Sequence, residues 1–252
     1  MTTNAAVVGR AERLREHIGL AGLVHADRAS DVDLDAASRA FADSLYPPRL
    51  AGPVVLERGA APEACDRAVR AGRCYGWIEA IDAASAPFHW WYGSHGPPRQ
   101  DRFRAPFPGE PLLVGKPTTS CVFTAGGTAT WRGMWSSIAQ VEAASAEPIH
   151  AWRLDPEPGV RGIVVDSAVG WCELVSTYGR RTVHGLVVDW AALAAQCGAV
   201  TVTAAAVAAT DCIELAHHGR RIAPTFWATR TTVWLDWLFV DRPPADAEVP
   251  SQ

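Results

Sequence analysis

The chain has 252 residues, 48% of them hydrophobic and 20% charged, and a net charge of −4. That is enough for one large domain and excludes a disordered or collagen-like chain. Lys116 is the sole lysine among 23 Lys and Arg residues, and no basic block stands out. The pattern argues against duplex nucleic acid as a default partner, and no apolar run approaches the ~20 residues of a membrane span.

Residues 1–50 are rich in Ala, Arg, Glu and Asp, and the spacing predicts helices over 10–18 and 33–45. In the second, Leu34, Ala37, Phe41 and Leu45 share a face, Asp31 is an N-cap candidate and Pro47-Pro48 is the stop. Two readings stand: a helical extension packed on the main domain, or an arm that docks a protein partner. The N-terminal apolar run precedes its charges, the reverse of a secretion signal. Cys65, Cys74, Cys121, Cys172, Cys197 and Cys212 are dispersed without zinc spacing. Together these features predict a cytoplasmic protein with reduced thiols and no metal.

A helix is expected over 62–84 and a strand over Phe88–Tyr92, followed by a long loop rich in Pro, Gly and Arg. Ser120–Thr124 reads as a strand that exits at Ala125-Gly126-Gly127, and Ser136–Ala144 as a short helix. Residues 160–166 read as a strand, and Ser167 as the cap of a helix reaching Tyr178. Leu186–Val188 is extended, Asp189 caps the helix WAALAAQC, Gly198 ends it, and Ala199–Thr203 is a strand. Thr229–Val240 reads as the longest strand, central because both of its faces are partly apolar. The class is α+β, divided into a helical extension at 1–50, a main domain at 51–242 and a flexible tail at 243–252.

No P-loop, zincin, nucleophile-elbow or EF-hand motif occurs. The chemistry-bearing stretches are weaker. Trp90-Trp91-Tyr92-Gly93-Ser94-His95 ends a strand in a glycine turn, and is either a ligand-stacking platform or a core strand with its turn. Gly115-Lys116-Pro117, followed by Thr118-Thr119-Ser120 and Phe123-Thr124, is either an anion-binding turn with hydroxyls behind it or an edge strand. Trp131 and Trp135 flank Arg132 and either sandwich a ring or anchor a loop. Asp236 lies between two Trp, with Asp211 and Glu214 as alternative carboxylates; His217-His218 reads as solvated rather than metal-binding.

In order, HWWYGSHG, GKP with TTSCVFTA, a Trp-Met-Trp turn, IVVDSxxxWxxLVxxY over Ile163–Tyr178, DWxxLA with AVxVT, and WxxxTTVWLxWxF resemble a set of actinobacterial proteins over about residues 88–241. Their layout is similar to the ADP-ribosyltransferase fold. The resemblance implies a split β-sandwich with peripheral helices, and an enzyme that cleaves the nicotinamide–ribose bond of NAD. It implies that Tyr92, with His95 beside it, replaces the first-strand His or Arg, and that Gly93 and Ser94 form the glycine turn. Lys116 with Arg102 or Arg104 would hold the pyrophosphate, while Thr124, Trp131 and Trp135 would line the nicotinamide-ribose end. The departure is Arg230, which stands where the family carries its Glu; a cation there opposes an oxocarbenium-like transition state. Glu214 is then the candidate replacement acid, since Asp236 would lie roughly 20 Å along the same strand. The alternatives are a natural-product tailoring enzyme or cyclase that reuses the fold without NAD, and a catalytically dead interaction module.

Overall fold

The structure, a computed structural model, describes residues 54–56, 88–93, 96–110, 115–127, 133, 135, 149–211, 214–227, 229–240 and 246–248. The expected helices at 10–18, 33–45, 62–84 and Ser136–Ala144 lie outside these residues, as do Ser94, His95 and Trp131.

The described strands are β1 (Val54–Leu56), β2 (Phe88–Gly93), β3 (Val122–Gly127), β4 (His150–Leu154), β5 (Gly162–Val165), β6 (Gly179–Thr182), β7 (Gly185–Val188), β8 (Ala199–Val202), β9 (Leu215–His217), β10 (Arg220–Ile222), β11 (Thr231–Trp234) and β12 (Asp246–Glu248). Three helices are described: α1 (Ala168–Tyr178), α2 (Trp190–Ala194) and α3 (Ala204–Thr210). Two sheets result, one in the order β1-β9-β10-β7-β6 and one in the order β12-β4-β2-β3-β11-β8-β5. The class is α+β. In the larger sheet β11 is central, antiparallel to β3 on one side and to β8 on the other, and β5 runs parallel to β8.

The helices start where their caps direct. Ser167 Oγ accepts from the Gly170 amide at 3.1 Å, Asp189 Oδ1 from the Ala192 amide at 3.1 Å and Thr203 Oγ1 from the Ala206 amide at 3.2 Å. Each satisfies an N–H that the first helical turn leaves open. In α1 the buried face is Ala168, Trp171, Cys172, Leu174 and Val175, the 3–4 residue spacing of a helix against a core. α3 has no polar stripe because every side chain described in it is buried, which is why periodicity does not reveal it.

The main core lies where α1 and α3 meet both sheets. It includes Val200, Val202 and Val233 of the larger sheet and Leu186, Val188, Leu215 and Ile222 of the smaller one. Trp227 sits at its centre, edge-on to Trp171 at 5.9 Å and to Trp190 at 6.1 Å between ring centroids. A second cluster of Val122, Leu154, Ala199, Trp234 and Phe239 covers the opposite face of the larger sheet. No helix among the described residues is long and apolar enough to cross a membrane.

Three strand expectations need correction. The last strand stops at Trp234. The Leu235 amide donates to the Gly198 carbonyl, and Asp236 turns the chain by accepting from the Trp237 amide at 2.7 Å. Apolar alternation continues past the point where the partner strand β8 has ended at Ala199. Conversely, β3 continues through Ala125-Gly126-Gly127, which pair with Trp90, His89 and Phe88. The Arg230 guanidinium lies over Gly126, 3.7 Å from where a Cβ would sit, an ordinary van der Waals contact. Finally, Asp246–Glu248, read from sequence as tail, pair with β4.

Candidate functional site

Tyr92, Lys116, Phe123 and Trp135, with Trp91, line a cleft of about 280 Å³. It opens beside the ends of β2 and β3. Trp135 is fixed there by donating its indole N–H to Thr231 Oγ1 at 3.1 Å. Gly133, with φ +79, packs so tightly on β3 that a Cβ would lie 2.6 Å from the Gly126 carbonyl oxygen. Gly93 is required for a different reason: the Trp91 ring lies across it, 2.1 Å from where a Cβ would stand. The aromatic strand β2 and Trp135 thus meet in one concave surface.

Lys116 supplies the cleft's only cation among its lining residues. Its turn is set by Gly115, which has φ +82 and brings the backbone within 3.2 Å (from an ideal Cβ) of Thr225 Cα. The ammonium lies 5.5 Å from the centroid of the Trp227 ring, within cation–π range. Among the described residues no carboxylate oxygen lies within 4.0 Å of it. Burial pushes the Lys116 ammonium below its ordinary pKa, and the Asp211 carboxylate pulls partly back. Behind the turn, Glu110 is buried, and its Oε1 accepts from the Thr118 amide, from Thr118 Oγ1 at 2.5 Å and from the Thr119 amide at 2.7 Å. Arg180 donates to the Glu110 carbonyl at 2.9 Å. Glu110 is a residue the sequence reading missed. Its signal is faint, a Glu eight positions before a Thr in a Gly/Pro-rich loop.

The opposite face of the same strands holds a polar cluster. Thr124 Oγ1 accepts the Trp234 indole N–H at 2.8 Å and lies 2.9 Å from His89 Nδ1. The Trp234 indole N–H occupies one lone pair of Thr124 Oγ1, and the hydroxyl keeps its proton and a second lone pair, so it bonds to either tautomer of a neutral His89 ring. Burial, then the nearby Arg230 charge, favours that neutral form and lowers the His89 pKa from 6.5 to about 4. Thr232 Oγ1 and Thr201 Oγ1 are 2.8 Å apart on the same face.

The outcome for each expected site residue follows from this geometry. Tyr92, Lys116 and Trp135 converge on the cleft with Phe123, and Gly93 lies beneath the Trp91 ring. Thr124 does not line it; it is buried on the other face, bonded to His89 and Trp234. Arg230 is buried over Gly126 beside His89, away from the Thr231 face that carries Trp135. Glu214 precedes β9 in the smaller sheet and is paired with Arg221 at 2.5 Å, so it is not a free acid near the cleft. Arg102 and Arg104 are exposed; Arg102 closes a 3-10 turn and Arg104 donates to the carbonyls of Asp101 and Phe103. Asp236 is exposed in the turn after β11, not six residues along a strand. Ser94, His95 and Trp131 lie outside the described residues. His217 is buried in β9 rather than solvated, and His218 takes a positive φ of 50 in the next turn.

Burial pushes the Cys121 thiol up to about 11, against a nucleophilic role. No group of three or more His, Cys, Asp or Glu among the described residues could hold a metal ion. A second, larger and shallower cleft of about 310 Å³ is lined by Glu157, Arg161, Gln196, Cys197, Asp236 and Leu238 among others. It mixes both charges and has no aromatic wall, so the smaller, aromatic cleft is the better ligand site. No family model, no curated protein and no solved structure matches the chain.

Proposed function

We propose that the aromatic cleft binds a small molecule that combines a planar ring with an anionic group, and that NAD is this molecule, in keeping with the ADP-ribosyltransferase-like layout of the sequence. The observation that carries the reading is the convergence of Lys116, the sole lysine of the chain, with Tyr92, Phe123 and Trp135 on one concave surface. Aromatic faces stack on a nicotinamide or adenine ring, and a half-buried ammonium interacts with a phosphate more strongly than one in bulk water does. Titration of the full chain with NAD, read by calorimetry and by Trp emission, tests this. Binding with altered emission is expected; no heat and no change at millimolar NAD sinks it.

A second reading separates binding from cleavage. Among the described residues no Asp or Glu lines the cleft, Glu214 is held by Arg221 in the other sheet, and Arg230 occupies the position where the resemblance expects an acid. Stabilising an oxocarbenium-like transition state needs a negative charge at the ribose. This arrangement favours a domain that binds its ligand without releasing nicotinamide. Following nicotinamide release in the same titration discriminates the two: heat with no release supports the binding module, and heat with release the enzyme.

A further inference from the structure

We propose that Lys116 is an imine-forming lysine, condensing with the carbonyl carbon of a small aromatic aldehyde or ketone held in the aromatic cleft. The inference uses the same cleft as the functional reading but needs only that the cleft admits a planar ring, not that the ring belongs to NAD.

Three features support it. The first is position: the only lysine of the chain lies on the wall of a cleft whose other lining residues are Trp91, Tyr92, Phe123 and Trp135. A planar carbonyl compound stacked there presents its reacting carbon to the wall. The second is the surroundings. Lys116 faces the Trp227 indole at 5.5 Å, no carboxylate oxygen among the described residues comes within 4.0 Å, and Asp211 acts on it from farther off. A close ion pair would lock the ammonium in its charged form; a ring contact and a more distant carboxylate hold it more weakly. Burial shifts the balance further toward the free amine, the form that reacts. The third is rigidity. The turn bearing Lys116 is pinned by Glu110 through Thr118 and Thr119 and by the contact of Gly115 with Thr225. A fixed backbone limits where the amine can reach, which is how a lysine becomes a positioned nucleophile rather than a mobile surface group.

The chemistry balances without a co-reactant. The ammonium releases one proton to solvent, and the free amine attacks the carbonyl carbon. A C–N bond forms while the carbonyl π electrons move to oxygen, which is protonated by solvent. A second proton lets that oxygen leave as water while the nitrogen lone pair closes the C=N bond, and the nitrogen returns its two protons to solvent. An anionic ligand without a carbonyl retains the ammonium instead, so the two ligand types compete for one residue.

The test is reductive trapping. The full chain is incubated at neutral pH with 2-hydroxybenzaldehyde and cyanoborohydride, which delivers hydride to the imine carbon, and modified peptides are mapped by mass spectrometry. The expected result is a secondary amine at Lys116, formed severalfold faster in the folded chain than at the same residue in the denatured chain. Lys116→Arg, which keeps a cation over Trp227, should leave only the N-terminal amine labelled. Equal labelling of folded and denatured chains, or labelling of the N-terminal amine alone in the wild type, overturns the inference. A parallel titration with NAD keeps the two proposals apart. An adduct at Lys116 in a chain that binds no NAD removes NAD alone as the ligand; NAD binding with no adduct removes the imine alone.

Discussion

At the scale of single residues, the polar cluster behind the cleft makes the sharpest statement about charge. His89 is kept neutral first by burial and second by Arg230, with its pKa lowered from 6.5 to about 4. A base whose folded pKa lies below its unfolded one binds fewer protons folded than unfolded between those values. Its contribution to stability is therefore complete above pH 6.5 and lost as pH falls toward 4. The pKa difference sets an upper bound of about 3 kcal/mol. Denaturant midpoints at pH 7 and pH 4.5 should fall more for the wild type than for His89→Gln, and parallel falls would show that other groups dominate. Arg230→Met removes only the smaller cause, so the His89 pKa read by NMR should rise but stay below 6.5. Glu110 makes a complementary case. Glu110→Ala leaves two backbone amides and a hydroxyl without their acceptor, a loss of about 1–3 kcal/mol. Ligand affinity at Lys116 should weaken with it, which Glu110→Gln, retaining an acceptor oxygen, should largely restore.

At the scale of elements, caps and turns decide where chain segments begin and end. Ser167 was legible as an N-cap because a hydroxyl preceded a run of helical spacing, and its Oγ does accept from Gly170. Ser167→Ala should cost about 1 kcal/mol with an unchanged fold, measured as a lower denaturant midpoint with the same far-UV spectrum. Gly115 is the element-scale control of the cleft. Its φ of +82 and its approach to Thr225 oppose any side chain. Gly115→Ala should destabilise the chain by about 1–3 kcal/mol and displace Lys116, so that trapping by 2-hydroxybenzaldehyde slows. The last strand shows the reverse situation, in which a valid local pattern was overruled. Its alternation runs on through Val240, yet the strand ends at Trp234: the Leu235 amide makes one last bond to the Gly198 carbonyl and Asp236 then makes a turn.

At the scale of the whole molecule, the described Trp residues serve the cores on both faces of the larger sheet as well as the cleft. Trp171, Trp190 and Trp227 interlock in the core between the sheets, whereas Trp91 and Trp135 line the cleft. Lys116 over Trp227 connects them. Trp227→Ala should therefore cost about 3–5 kcal/mol through the cavity it leaves, and also change the reactivity of Lys116. Trp227→Phe should spare most of the stability. A thermal unfolding series across the two variants checks the order.

The sequence by itself determined the mixed class, the caps of α1 and α2, the central place of the last strand and the residue types of the cleft. These rest on local spacing, on short-range capping chemistry, or on apolar character on both faces of a strand. Tertiary structure decided the rest. Which face of a strand meets which neighbour depends on register, so Thr124 and Arg230 fell on the far side of the sheet from Tyr92, Lys116 and Trp135. β4, β6, β9 and β10 are too short or too polar to announce themselves, and only pairing makes them strands. Glu214 reads in sequence as an available acid. Only the fold shows it in the smaller sheet with its charge committed to Arg221, because an ion pair between residues seven apart forms when a hairpin brings them together.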